Sequence, residues 1–211
     1  MILSENCLES FYSNPHNLIA GVDEVGRGCL FGEVVAVAVV VPVKAIALLQ
    51  NLGVKDSKKL TAKKRIVLVE QIESIVIDAQ MGVVDSATID HINILQSSLQ
   101  AMAQALNKLK VTPDLCLIDG KFPVPDLSFP QVTMIRGDGR SPVIASASIL
   151  AKVWRDRKMI EYSQQYPHYD LENNKGYGTK KHLQAIKKYG ITPHHRQSFS
   201  PVSQHLRSNG D

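Results

Sequence analysis

Apolar positions follow two different periods along this chain, and their order predicts an α/β fold. Leu18 to Val25 is a short apolar segment ending near two acids, and Glu33 to Val41 is a continuous Val/Ala-rich run. An unbroken run of that length fits a strand covered on both faces. Between the two lies Gly26-Arg27-Gly28-Cys29-Leu30-Phe31-Gly32. Its three glycines mark a loop where the backbone turns or is closely approached, so the pair predicts an antiparallel hairpin with a long connection. Thr61 caps a predicted helix reaching about Ser74, and Ile75 to Val84 reads as a third strand. The period then changes. Ile92, Leu95, Leu99, Met102, Leu106 and Leu109 step by three and four, one face of a helix over Ser86 to Lys110 that packs on a sheet. Pro113 ends it, and Leu115 to Asp119 and Gln131 to Arg136 supply a fourth and a fifth strand. Ser141-Pro142 places a capping hydroxyl before a first-turn proline, opening a helix to about Tyr162. Thr179 to Tyr189, closed by Gly190, is a further short helix.

Composition agrees with a packed core. The 211 residues suit one domain of ordinary size, or a domain with an appendage, and 44% hydrophobic with 21% charged residues argues against extended disorder. The longest apolar run, Val34 to Val41, is far short of the ~18–20 residues a membrane span needs. Glu5 and Glu9 stand where a secretory signal would have a basic start, so no such signal is read. Three scattered cysteines (Cys7, Cys29, Cys116) are too few for a disulfide framework or a zinc ribbon, and a reduced, cytoplasmic setting is expected. The net charge of +4 is unevenly spread. Residues 1–151 hold 13 Lys+Arg against 15 Asp+Glu, while residues 152–211 hold 11 against 5 and five of the seven histidines. A mixed body with a basic tail segment follows, which is either a nucleic-acid face or a solvated helical surface.

Acids at the ends of predicted strands carry the chemistry. Asp23-Glu24 falls at the end of the first strand, Asp119 ends the fourth, and Asp138 follows the fifth. Sites in α/β sheets assemble at strand ends and in the loops beyond them. Carboxylates gathered there repel one another unless protonated or bound to cations. Hard oxygen ligands without His or Cys favour Mg²⁺ or Mn²⁺ over zinc. A single Asp after a strand is also a common turn former or helix cap, an alternative open for Asp119 and Asp138. Successive strand side chains point to opposite faces, so Asp23 and Glu24 share one metal only if the strand bends or Glu24 offers its backbone carbonyl.

At these residues the chain resembles ribonuclease HII, the bacterial type 2 ribonuclease H. Gly21-Val22-Asp23-Glu24-Val25-Gly26-Arg27-Gly28 resembles the family's opening motif. Six more blocks follow in the family's order. They are Asp56-Ser57-Lys58-Lys59-Leu60, Leu117-Ile118-Asp119-Gly120, Gly137-Asp138, Ile144 to Lys152, Asn174 to Thr179, and His195 to Phe199. The related ribonuclease HIII carries an extra N-terminal domain, for which the 17 residues before the first strand leave no room.

The resemblance implies a ribonuclease H-like fold: a five-stranded mixed sheet flanked by helices, with a helical C-terminal extension. It divides the chain into a segment 1–17, a catalytic core 18–162 and a substrate-binding extension 163–211. It implies endonucleolytic cleavage of the RNA strand of RNA–DNA hybrids, and nicking 5′ of single ribonucleotides embedded in duplex DNA; with no membrane span and no sign of an oligomer in the sequence, a monomer with no membrane attachment is expected. Two-metal-ion hydrolysis would leave 3′-OH and 5′-phosphate ends. The resemblance carries the family's four metal-binding and catalytic acids over to Asp23, Glu24, Asp119 and Asp138, with Mg²⁺ or Mn²⁺. It assigns Gly26, Arg27 and Gly28 to the ribose 2′-OH and nearby backbone, Lys58 to the scissile phosphate, and Tyr177 to the deoxyribose after the RNA–DNA junction. These roles suit the residues, since glycines let main chain approach a sugar edge and the 2′-OH distinguishes RNA from DNA. Arg27 reads otherwise as a solvated loop residue or a partner of Asp56, and Tyr177 as an aromatic in a surface turn.

Lys152, Arg155, Arg157, Lys158, Lys180, Lys181, Lys187 and Lys188 are expected to bind duplex phosphates. His182 is expected to meet phosphate or water, and Asp156 a cation. His194-His195 lack a Cys or third His at ligand spacing, so no zinc site is read. Glu33 stands where the family commonly has proline, and Ser146 where alanine is more usual.

Overall fold

The computed structural model describes residues 1–54 and 60–208. Five strands carry the architecture: β1 (Leu18–Val25), β2 (Val34–Pro42), β3 (Asp78–Val84), β4 (Leu115–Asp119) and β5 (Gln131–Met134). They form one sheet in the order β3-β2-β1-β4-β5. β2 runs antiparallel to both β1 and β3, whereas β4 runs parallel to β1 and β5 parallel to β4. This is the five-stranded mixed sheet that the resemblance implies.

Eight helices of differing length accompany it among the described residues: α1 (Leu8–Tyr12), α2 (Ile46–Asn51), α3 (Ala62–Glu73), α4 (Ser86–Asn107), α5 (Pro142–Gln165), α6 (Leu171–Asn174), α7 (Lys180–Tyr189) and α8 (Val202–Ser208). Strand alternation sorts the core into two layers. Ile19, Val37, Val39, Leu115 and Leu117 meet α5 and α3 on one face, and Ala20, Val22, Ala36, Ala38 and Ile118 meet α4 on the other. β2 is buried from Val34 through Val41, which accounts for its unbroken apolar run. The first half of α5 is buried all round, from Val143 to Ala151, because its alanines and serines let it press onto the sheet. At Gly21 the helix backbone comes close: a Cβ there would stand 2.8 Å from the Ile144 nitrogen. Ser146 is buried without an orphaned hydroxyl, since its Oγ donates to Pro142 O at 2.7 Å.

Departures from expectation at β3, β5 and α4 each have a local reason. β3 begins at Asp78 rather than Ile75, because the amides of Ile75 and Val76 still bond Ile72 O at the end of α3. β5 stops at Met134, and Arg136 turns the chain with φ 56°. The long α4 is broken at Asn93, whose φ of 68° is non-helical and whose Oδ1 accepts the amides of Leu95 and Gln96 as the cap of a second segment.

A third apolar cluster lies away from the sheet. Leu30 and Phe31, from the loop after β1, pack with Met159 and Tyr162 of α5 and with Tyr169, Leu171, Ala185, Ile186 and Val202. The segment after α5 is therefore packed onto the glycine loop. No described helix is long and apolar enough to cross a membrane.

Candidate active site

The parallel register of β1 and β4 sets Val22 beside Ile118. One residue further, Asp23 and Asp119 leave the ends of adjacent strands on the face that α5 covers. Asp23 is buried, and the Ser148 side chain of α5 hydrogen-bonds its carboxylate. Asp119 Oδ1 accepts the Gly137 amide at 2.7 Å, which ties the end of β4 to the turn 137–139 preceding α5. Glu24 should point to the other face, yet its carboxylate joins theirs. β4 has ended at Asp119, so no strand residue flanks Glu24 on that side, and the longer side chain reaches the pair. Ligand oxygens of Asp23, Glu24 and Asp119 lie within 4.8 Å of one another, the one such trio among the described residues. Of the two alternatives the sequence leaves for Glu24, carboxylate or backbone carbonyl, this geometry offers the carboxylate.

Their electrostatics follow from crowding. Burial pushes the Asp23 carboxyl well above the usual range, and the charges of Glu24, Asp119 and Asp138 push the same way. Burial also raises Glu24, against the opposing pull of Arg27. Asp119 is raised by burial, with the Gly137 hydrogen bond opposing and the Asp138 charge adding to the rise. Asp138, half-buried on the 137–139 turn, is outside the converging trio but near enough to act on two of its members. Such a group is relieved by protons or by a hard cation, and its all-oxygen donor set fits Mg²⁺ or Mn²⁺.

The glycine loop borders this cluster. Arg27 Nη1 lies 3.0 Å from Glu24 Oε1, its carboxylate partner among the described residues. Asp56 and Lys58 lie outside the described residues. Gly26 has φ 96°, and a Cβ on it would meet Arg155 Nε at 2.4 Å, so only glycine fits that bend. A Cβ on Gly28 would lie 3.7 Å from the Tyr177 ring, and Tyr177 is 43% exposed. The structure thus brings Gly26, Arg27, Gly28 and Tyr177 to one edge of the acid cluster.

Two expectations need correction. Arg155 does not face duplex phosphates: it is fully buried and donates to the carbonyls of Glu33 (3.1 Å), Lys175 (2.8 Å) and Phe31 (2.9 Å). His182 meets neither phosphate nor water, being buried against Tyr177 O and His195. Asp156 does pair with cations, Lys152 at 2.6 Å and Arg65 at 3.4 Å. Sequence reasoning missed Ser148 and Arg196, the latter fully buried and donating to Gly32 O and Arg27 O. Helical phase marks Arg155, since Ala147, Ala151, Arg155, Met159 and Tyr162 form one buried stripe of α5. Arg196 carries no comparable signal.

Comparison with known proteins now adds to this geometry. The family described as Ribonuclease HII matches residues 20–202. A ribonuclease HII of Trichormus variabilis is 53% identical over 190 residues, covering 90% of this chain and 84% of that one. The crystal structure of ribonuclease H2 from Pyrococcus horikoshii superposes with a TM-score of 0.77 at 27% identity, covering 90% of this chain and 98% of that one. Bst ribonuclease HIII, solved in complex with Mn²⁺, shares the fold with a TM-score of 0.68 at 20% identity, over 93% of this chain and 72% of that one.

Proposed function

The chain belongs to the ribonuclease HII family and is a ribonuclease H endonuclease that uses divalent metal; from that premise we propose that it nicks duplex DNA 5′ of single embedded ribonucleotides as well as cutting longer hybrids. One observation carries the reading: three converging carboxylates, one buried and two half-buried, lie beside the glycine loop, with Tyr177 next to Gly28. Asp23, Glu24, Asp119 and Asp138 would hold the metal. Held there, a pair of Mg²⁺ or Mn²⁺ ions would supply the activation of water and the stabilisation of charge on the leaving oxygen.

The chain's own groups do the rest. Ser148 and the Gly137 amide orient Asp23 and Asp119, so the acids do not have to organise when substrate arrives. Main-chain groups of Gly26, Arg27 and Gly28 approach the ribose 2′-OH, the group by which a ribonucleotide differs from its neighbours. Tyr177, beside Gly28, packs on the deoxyribose that follows, where a second hydroxyl would not fit. The family resemblance assigns Lys58 to the scissile phosphate. The same reading takes the enzyme as a cytoplasmic monomer.

The test is a duplex carrying one ribonucleotide, incubated with Mg²⁺ or Mn²⁺. The expected product carries that ribonucleotide with a 5′-phosphate at the start of the downstream fragment. Cleavage of an all-DNA duplex at a comparable rate would instead favour a DNA-directed nuclease of the same fold.

A further inference from the structure

His182 and His195 are almost completely excluded from solvent, and their Nε2 atoms lie 3.1 Å apart. A bond between two imidazole nitrogens needs one proton, donated by one ring to a bare nitrogen of the other. Both outer ends of the pair determine which. His182 Nδ1 lies 2.9 Å from Tyr177 O, a carbonyl that can only accept, so Nδ1 carries the hydrogen. At the other end the Thr192 amide, which can only donate, points at His195 Nδ1 from 2.9 Å, so that nitrogen is bare. If each ring holds one proton, His195 Nε2 is protonated and His182 Nε2 is not. The two ends therefore demand the same polarity at the middle bond: Thr192 N–H to His195, His195 to His182, His182 to Tyr177 O. Phe31 and Tyr169 pack around the pair, with ring centroids 5.0 Å from that of His195. That apolar wall opposes a second proton, which would also put two N–H groups face to face.

We propose that this neutral two-histidine chain positions Tyr177 for reading the sugar beyond the RNA–DNA junction, with His182 and His195 as positioning residues. The proposal rests on the assignment of Tyr177 made above. The cap of α7 does not need the imidazole, since Thr179 Oγ1 already accepts the His182 amide. Instead the ring joins the Thr179 amide, 2.8 Å away, on the carbonyl of Tyr177, whose own amide is held by Asn174 O at 3.0 Å. Tyr177 is thus gripped at both backbone groups, and its ring is directed along Gly28. The grip reaches it from residues 192–195, which also bond the glycine loop through His194 O to the Gly32 amide. One segment therefore fixes both walls of the sugar edge.

Two measurements on the full-length protein decide this. Long-range ¹H–¹⁵N spectra of histidine-labelled natural protein at pH 7.5 should show His182 protonated at Nδ1 alone and His195 at Nε2 alone. An imidazolium or the opposite tautomer at either ring overturns the chain. Cleavage is then compared on a duplex with one ribonucleotide and on a continuous RNA–DNA hybrid. His182→Phe should lower the ratio of kcat/KM for the first over the second by about tenfold. His182→Asn, with an amide nitrogen near the place of Nδ1, should restore it to within about twofold. Equal losses on both substrates, or no rescue, would mean support of the fold only and would overturn the positioning role. Tyr177→Ala separates the two readings. If it leaves the ratio unchanged, the assignment of Tyr177 fails and the positioning role falls with it. If it shifts the ratio while His182→Phe does not, only the positioning role falls.

Discussion

Asp23 is a buried acid whose neighbours are also acids, an arrangement that destabilises the protein whenever no cation is bound. Asp23→Asn keeps the shape and removes one charge. It is expected to raise the stability of the metal-free protein by about 1 kcal/mol, or ~3 °C in melting temperature, while lowering Mg²⁺-supported cleavage at least ~100-fold. Thermal melts should also show Mg²⁺ stabilising the natural protein much more than the variant. Unchanged cleavage would remove Asp23 from the site. The acids stood out in the sequence because each falls at or near a strand end, where sites in α/β sheets assemble, although a lone Asp there also serves as a turn former or cap. Arg155 was not legible by charge, standing in the run Arg155-Asp156-Arg157-Lys158 as if all four met solvent. Only its phase on the helix separates the buried arginine from its exposed neighbour Arg157.

Whole elements were legible wherever a period lasted long enough. The ends of β1, β4 and α3 agree with the reading, because a pair of acids, a single acid before glycine and a capping threonine mark them in turn. Helices α1, α2 and α6, of four to six residues, are too short to establish a helical face. The break in α4 escaped for the opposite reason: apolar steps continue across it. Asn93 itself is exposed, while Ser97 and Ser98 beyond it are buried and Leu95 only partly so. Its φ of 68° and ψ of 165° are costly for a residue with a Cβ, and its side chain offsets this by capping the next segment. Asn93→Ala loses the cap and keeps the cost, so urea denaturation should show a loss of about 1–2 kcal/mol. Asn93→Gly should lose less. Equal effects would mean that the cap, and not the backbone, governs the break.

For the whole molecule, the division of charge seen in the sequence has a spatial meaning on α7, where Lys180, Lys181, Lys187 and Lys188 are all exposed. Binding to a hybrid should weaken steeply with salt, and Lys180→Ala with Lys187→Ala should reduce the slope of log K against log salt by about two. A flat dependence would leave these lysines as solvated surface. Acid should act on the molecule through its third core. Burial, with His182 adding to it, lowers His195 to about 3, against ~6.5 for an unfolded histidine. The folded state then binds fewer protons than the unfolded one, so this contribution is complete above pH ~6.5 and is lost as pH falls toward about 3. Urea midpoints should drop between pH 7 and pH 5, and His195→Gln should flatten that part of the profile.

The carbonyls of Arg27, Phe31, Gly32 and Glu33 are bound by guanidinium groups belonging to Arg155 and Arg196. Chain order turns this into a matter of timing. All four acids lie within the first 138 residues and leave the ribosome early, whereas the second arginine follows 58 residues after the last of them. Synthesis at ~5–20 residues per second leaves an interval of several seconds in which the carboxylates exist without the arginines that hold the glycine loop. On the proposed function, a nascent or prematurely ended chain is expected to be a poor nuclease, although it holds every proposed metal ligand.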